Sequence, residues 1–320
     1  MTKVFVTGAS GFLGAALIER LAAQGFSCTA ALRRSVASLP PAVQTVKFDS
    51  LDDAFDWSHA LAGQEVVVHC AARVHVMNDT SADPLVEFRK VNVLGTLHLA
   101  AQAAAAGIRR FIFISSIKVN GESTQKGAPF KADDVPSPRD PYGVSKMEAE
   151  KGLLALAAET GMDVVIIRPV LVYGPGVKAN FQSMMRWMDK GVPLPFAAIN
   201  NRRSLVALDN LVDLIITCIS HPSASNQIFL VSDGDDLSTA GLLTRMAQAL
   251  NKRARLFPVP DYLLRGAATL LGKSSISQRL LGSLQVDISK TKKLLHWEPP
   301  LSVDAALKAT AVHYKELKKS

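Results

Sequence analysis

Tyr142 and Lys146 stand four residues apart in "DPYGVSKMEAEKGLLAL". On a helix that spacing puts both side chains on one face. An ammonium beside a phenol lowers its pKa, which would let the tyrosine act as acid or base near neutral pH. The same Tyr-x-x-x-Lys spacing recurs at Tyr314 and Lys318 in the basic tail, so spacing alone selects neither. Context separates them. The first copy follows an apolar, strand-like run ending in Ser115–Ser116; the second reads as a surface coincidence.

A second constellation lies at the N-terminus, in "VFVTGASGFLG". Gly8, Gly11 and Gly14 let the chain turn tightly between a strand and a helix, and let the backbone N–H groups around Ser10, Phe12 and Leu13 approach a pyrophosphate. The spacing is Gly-x-x-Gly-x-x-Gly, not the Gly-x-Gly-x-x-Gly of the common dehydrogenase fingerprint. At the end of the next strand, an NAD enzyme places a carboxylate on the adenosine ribose. The stretch "CTAALRRS" puts Leu32 at that point, followed by Arg33 and Arg34. Guanidinium groups pair with phosphate, so NADP(H) is favoured, with NAD as the alternative. Asp49, with Ser50 beside it, is an adenine-contact candidate at the end of the third strand, or a cap for the next segment.

The elements that must position these residues alternate. Strand candidates are Lys3–Thr7, Cys28–Leu32, Val46–Asp49, Val66–His69, Phe111–Ile114 and Val164–Arg168, none with a polar face. Such strands are covered on both sides. Helical stretches such as "FLGAALIERLAAQG" and "PLVEFRKVNVLGTLHLAAQAAAAG" lie between them and end on Gly25 and Gly107. The fold class is therefore α/β, a Rossmann-type doubly wound parallel sheet with a smaller C-terminal lobe. Residues 1–174 and about 204–232 are assigned to the dinucleotide domain, and residues 175–203 and 233–320 to the lobe.

The bulk properties agree with an enzyme. Of the 320 residues 48% are apolar and 20% charged, and no apolar run is long enough to span a bilayer. Lys3 leads straight into a strand, with no signal peptide. Cys28, Cys70 and Cys218 are far apart and read as buried thiols of a cytoplasmic protein. His69 and His75 lack partners at metal-ligand spacing, so no metal is expected. The net charge of +8 resides beyond Asn251, where 13 Lys and Arg face 5 Asp and Glu. That excess suits a solvated face, a diphosphate ligand or an acidic membrane surface; nucleic-acid signatures are missing.

Together "TGASGFLG", "HCAA", "SSIKVNG", "YGVSK" and "RPVLVYGPG" resemble the extended short-chain dehydrogenase/reductases. The nucleotide-sugar branch, with its 4-epimerases, 4,6-dehydratases and 4-keto-sugar reductases, is the nearest. The resemblance implies a nucleotide-diphosphate sugar as substrate and a homodimer formed by helix pairing. It makes Tyr142 the acid/base, Lys146 the holder of the nicotinamide ribose and Ser116 the partner of the reacting sugar oxygen. Ala71, Ala72 and Arg168 would flank the cofactor, and Asn92 would support the lysine. His75, Ile117 and Lys118 would line the sugar pocket, with Asn180, Arg203 and Arg279 on the diphosphate.

The resemblance also narrows the reaction. Dehydratases of the branch carry an Asp–Glu pair where this chain has Ile117 and Lys118, which excludes dehydration. A reductase consumes and releases NADPH, which suits Arg33 and Arg34. A 4-epimerase retains NAD, and Lys118 and Asn120 depart from the residues usual there. The sequence thus favours NADPH-dependent reduction of a 4-keto sugar, with UDP-hexose or UDP-N-acetylhexosamine 4-epimerisation as the alternative. A non-catalytic NAD(P)-binding sensor is a third reading, disfavoured by the intact Ser116, Tyr142 and Lys146.

Overall fold

The computed structural model describes residues 1–34, 39–52, 54–74, 83–125, 127–272 and 274–319. The strands are β1 (Lys3–Thr7), β2 (Ser27–Leu32), β3 (Gln44–Lys47), β4 (Val66–His69), β5 (Arg110–Ile114) and β6 (Asp163–Pro169), then β7 (Leu171–Tyr173), β8 (Leu205–Ala207) and β9 (Gln227–Val231). β7 and β8 pair with each other; the rest form one parallel sheet in the order β3-β2-β1-β4-β5-β6-β9. The order reverses between β1 and β4. At such a point loops diverge above the strand ends and leave a crevice for a ligand.

Period-two alternation divides the sheet's side chains between two cores. Val4, Val6, Val66, Val68, Ile112, Val165 and Ile167 pack with α1 (Phe12–Ala23) and α7 (Leu208–Ser220). Phe5, Val67, Phe111, Phe113, Val164 and Ile166 pack on the other side with α2 (Ser58–Leu61), α4 (Gly95–Ala105) and α5 (Pro141–Thr160). Before α4 the chain forms α3 (Pro84–Arg89), started by Asp83, whose carboxylate accepts from two backbone N–H groups. A third core joins α6 (Ala179–Asp189), α8 (Thr239–Ala249) and α12 (Val303–Leu317) through Phe181, Met184, Leu243, Met246 and Leu307. The remaining helices are α9 (Asp261–Leu270), α10 (Ser274–Leu281) and α11 (Ser289–Leu295).

Three elements differ from the sequence expectation. β3 starts two residues before the expected Val46 and is largely exposed, because it is an edge strand that pairs only with β2. The long helix expected before Gly107 is interrupted by a π-helical turn, Lys90–Leu94. Residues 284–297 do not stay with the third core, to which the chain returns only in α12. Leu284, Val286, Ile288, Leu295 and Trp297 return to the α1/α7 side of the sheet. There the Thr291 hydroxyl donates to the carbonyl of Leu230 at 2.7 Å, and the Trp297 indole to Asp213 at 2.8 Å. Their apolar character draws them there, an affinity that a boundary drawn on composition does not register. Among the described residues, no helix is long and apolar enough to cross a membrane.

Candidate active site

The glycine turn joins β1 to α1 beside the switch point. Gly8 has φ +69°, and a Cβ on it would stand 2.7 Å from the backbone nitrogen of Ala71. A Cβ on Gly14 would stand 2.2 Å from the Gly8 carbonyl oxygen. Only glycine allows α1 to seat so closely on the turn and the turn on the strand β4 exit. Gly11 caps α1 without a side-chain hydrogen bond, so the first N–H groups of the helix keep their donors for a ligand. Ser10 and Phe12 are exposed at this mouth, and Leu13 packs into the core beneath. These features fit a dinucleotide pyrophosphate. Arg33 and Arg34 are exposed at the end of β2, and Asp49 and Ser50 are exposed just past β3. Ala71 and Ala72 are half-buried after β4, where the Ala71 N–H donates to the Thr7 hydroxyl at 3.3 Å.

Tyr142 and Lys146 project from the start of α5. Asp140 caps that helix, accepting from the Gly143 N–H at 2.7 Å, and Pro141 follows at the first helical position. The Tyr142 phenol is near enough to Ser116 to feel its hydroxyl, and Ser116 itself caps the short turn Ile117–Val119. Its ring meets Phe88 edge-on at 5.9 Å. Burial, reinforced by the charge of Asp140, pushes the phenol up to about 12. The expected lowering by Lys146 is thus not what governs it. Lys146 is 1% exposed, with its Nζ 3.9 Å from the centre of the Phe113 ring. Burial pushes this ammonium down to about 7, against an opposing pull from Glu150 and Cys70.

A buried scaffold holds the pair. Asn92, on the π-helical turn, accepts from the Arg73 N–H at 2.8 Å and donates to the Arg73 carbonyl and to Ser145 Oγ at 3.0 Å. It ties the chain after β4 to the residue preceding Lys146, and π turns recur at such functional positions. His69 bridges Thr7 and Thr96 at 2.6 and 3.1 Å and is pushed by burial down to about 3, a neutral core residue.

Two expected site residues take other work. Arg168 is 2% exposed and pairs with Glu150 through two nitrogens at 2.9 and 2.5 Å, and with Asn120 Oδ1 at 3.0 Å. Glu150 also accepts from Ser115 Oγ at 2.5 Å. The Arg168 guanidinium is thus engaged in bracing β6 against α5. Ile117 is buried in the α1/α7 core, closed to a sugar, because its turn directs the side chain inward. Lys118 points outward and pairs with Asp140 and Glu122, so its charge sits beside the Tyr142 helix start. His75 lies outside the described residues. The second Tyr-x-x-x-Lys is on the surface, where Lys318 pairs with Asp189 at 2.8 Å.

On the lobe side, Asn180 is exposed in the first turn of α6. Arg203 bridges the chain to Leu237 and Leu284, and donates to the Gly282 carbonyl at 3.1 Å. Burial and the like charge of Arg279 hold its guanidinium below the ordinary arginine value. The fold thus brings together two arginines 76 positions apart in sequence. Nearby, a cavity of about 740 Å³ is lined by Asn200, Asn201, Arg265, Gln278 and neighbours; its lining includes neither Tyr142 nor Lys146. The residues that the sequence did not single out are Asp140, Glu150 and Phe113. Asp140–Pro141 carries a legible helix-start signal, whereas the pairing of Glu150 with Arg168 depends on how α5 packs on β6.

A glycine turn at the switch point of a parallel sheet, with a Ser–Tyr–Lys set beside it, defines a dinucleotide-dependent oxidoreductase of the short-chain type. The model of the NAD dependent epimerase/dehydratase family matches residues 4–232, and the chain belongs to this family of extended short-chain dehydrogenase/reductases. It is 51% identical over 311 residues to UDP-glucose 4-epimerase of Vibrio cholerae, covering 97% of this chain and 94% of that one. GDP-6-deoxy-D-mannose reductase of Pseudomonas aeruginosa is 26% identical over 316 residues, covering 96% and 95%. The solved UDP-N-acetylglucosamine 4-epimerase of Bacillus cereus superposes with a TM-score of 0.81 over 98% of this chain and 100% of that one. At 20% identity, that last likeness is one of fold.

Proposed function

We propose that this enzyme interconverts the C4 epimers of a UDP-linked hexose, using a nicotinamide dinucleotide that it retains. The observation that carries this reading is the 51% identity, nearly end to end, with the Vibrio cholerae 4-epimerase. It places epimerisation ahead of the 4-keto reduction that the sequence favours. The nicotinamide would supply the acceptor and donor of hydride at C4. Gly8, Gly11, Gly14 and the start of α1 hold the pyrophosphate. Tyr142 would hold the C4 hydroxyl proton while the sugar is at the ketone level and return it to the C4 oxygen when the alcohol is restored. Ser116 holds the reacting oxygen, and Lys146 orients the nicotinamide ribose. Arg203 and Arg279 neutralise the substrate diphosphate, with Asn180 at the start of α6.

NADPH-dependent reduction of a nucleotide-linked 4-keto sugar is the second reading, favoured by two observations. No carboxylate follows β2, where Arg33 and Arg34 are exposed. A phenol raised to about 12 is also a proton donor at neutral pH, as a reductase needs. One experiment separates the readings. Freshly purified protein is denatured and its released nucleotide identified, and UDP-glucose is then supplied without added cofactor. Bound NAD with formation of UDP-galactose supports epimerisation. An empty site, no conversion, and NADPH oxidation with a UDP-4-keto-6-deoxy sugar would replace it with reduction.

A further inference from the structure

Helix α9 turns Leu264 and Ala268 inward but leaves other large apolar side chains outside. Asp261, Arg265 and Thr269, spaced four apart on one stripe, line the cavity beneath it. Leu263 and Leu270, on the far side of the helix, are 52 and 89% exposed, Tyr262 at the edge of the polar stripe is 71% exposed, and none of the ten residues of the helix is buried. Leu271, just past its end, is 70% exposed, and Phe257, in the loop that leads to it, 46%. In a surface helix of a globular protein the large apolar side chains lie on the inner face, and here only Leu264 does. The exposed ones therefore call for a cover.

The surroundings indicate which. The chain leading into α9 carries Lys252, Arg253 and Arg255, all exposed, and the whole segment from Asn251 holds 13 basic against 5 acidic residues. Five apolar side chains are far fewer than the roughly 20–30 residues a side of a stable protein interface. An apolar strip on one helix, flanked by lysine and arginine, matches a helix lying in the headgroup layer of a bilayer. We propose that α9 docks this enzyme on an anionic membrane surface, with Tyr262, Leu263, Leu270 and Leu271 inserted and Lys252, Arg253 and Arg255 on the lipid phosphates. Docking is independent of which sugar reaction the active site performs.

The test is flotation of the full-length protein with vesicles of phosphatidylcholine, alone or mixed with phosphatidylglycerol. Three basic side chains predict roughly a hundredfold stronger partitioning onto the anionic vesicles, falling as salt is raised. The exposed double variant Leu263→Asp/Leu270→Asp should lose flotation while keeping its melting temperature and its turnover of soluble nucleotide sugar. Lys252→Gln/Arg253→Gln should lose most of the preference for phosphatidylglycerol. The proposal is overturned if the wild type floats with neither vesicle, or if the aspartate variant floats as well as the wild type. Self-association in sedimentation that the aspartate variant abolishes, without flotation, would instead assign the strip to a second copy.

Discussion

Tyr142 and Lys146 sit one helical turn apart, yet burial moves them in opposite directions. Replacing Tyr142 by Phe removes the proton-carrying oxygen and nothing else from the Phe88 contact. Turnover should fall roughly 10²–10⁴-fold with the nucleotide still bound, which steady-state kinetics and nucleotide retention read together. Lys146 makes a different prediction. Its folded pKa of about 7 lies below the ordinary lysine value of about 10.4. Between those values the unfolded chain binds a proton that the folded chain does not, so stability rises with pH across the window, and the burial cost is full below it. Lys146→Met should therefore stabilise nucleotide-stripped protein near neutrality, on the order of several kcal/mol, with the gain vanishing toward the upper end of the window. Urea unfolding at both ends would show a pH-independent difference if the lysine were not desolvated. The reacting residues were legible because their spacing is local. The roles of Ile117 and Arg168 were not, since they depend on the core beneath the turn and on Glu150 of α5, which local spacing does not reveal.

At the scale of elements, the Glu150–Arg168 pair is the brace between α5 and β6. Arg168→Met should leave a buried carboxylate unpaired and destabilise the fold by about 3–5 kcal/mol. Arg168→Met/Glu150→Leu should recover most of that loss, which equilibrium denaturation can measure. A cofactor contact at Arg168 would instead show as weaker nucleotide binding in both variants. The strands and glycine-ended helices were readable from apolar runs and stop residues. The π turn was not, because Asn92 produces no break in helical periodicity; only its hydrogen bonds to Arg73 and Ser145 explain why a wider turn is kept there. β3 was misplaced for the opposite reason. An edge strand lacks the two-sided apolar pattern by which its neighbours announce themselves.

For the molecule as a whole, the juxtaposition of Arg203 and Arg279 joins β8's approach to α10. On the function proposed above, this pair neutralises the substrate diphosphate. Arg203→Ala should raise KM for a nucleotide-diphosphate sugar roughly tenfold or more, and leave kcat nearly unchanged. Substrate titration checks this, and an equal fall in kcat at constant KM would place Arg203 outside the binding surface. The sequence located the two arginines only through a resemblance, since nothing in a 76-residue separation reveals a contact.

The path of the chain between the sheet and the third core has one more consequence. It departs after β6 for α6, returns for β8, α7 and β9, departs again for α8, comes back through Leu284–Trp297, and ends in α12. Neither body is a contiguous stretch of the gene. Recombination cannot exchange the third-core body as a cassette, because a crossover before β9 would split the sheet, one between β9 and α8 would part α6 from α8, and one beyond α8 would part α12 from α8. New specificity in such an architecture must accumulate by point substitution along a fixed thread. A chain broken at one crossing remains fastened at the others, so a nicked molecule should stay whole until it is denatured.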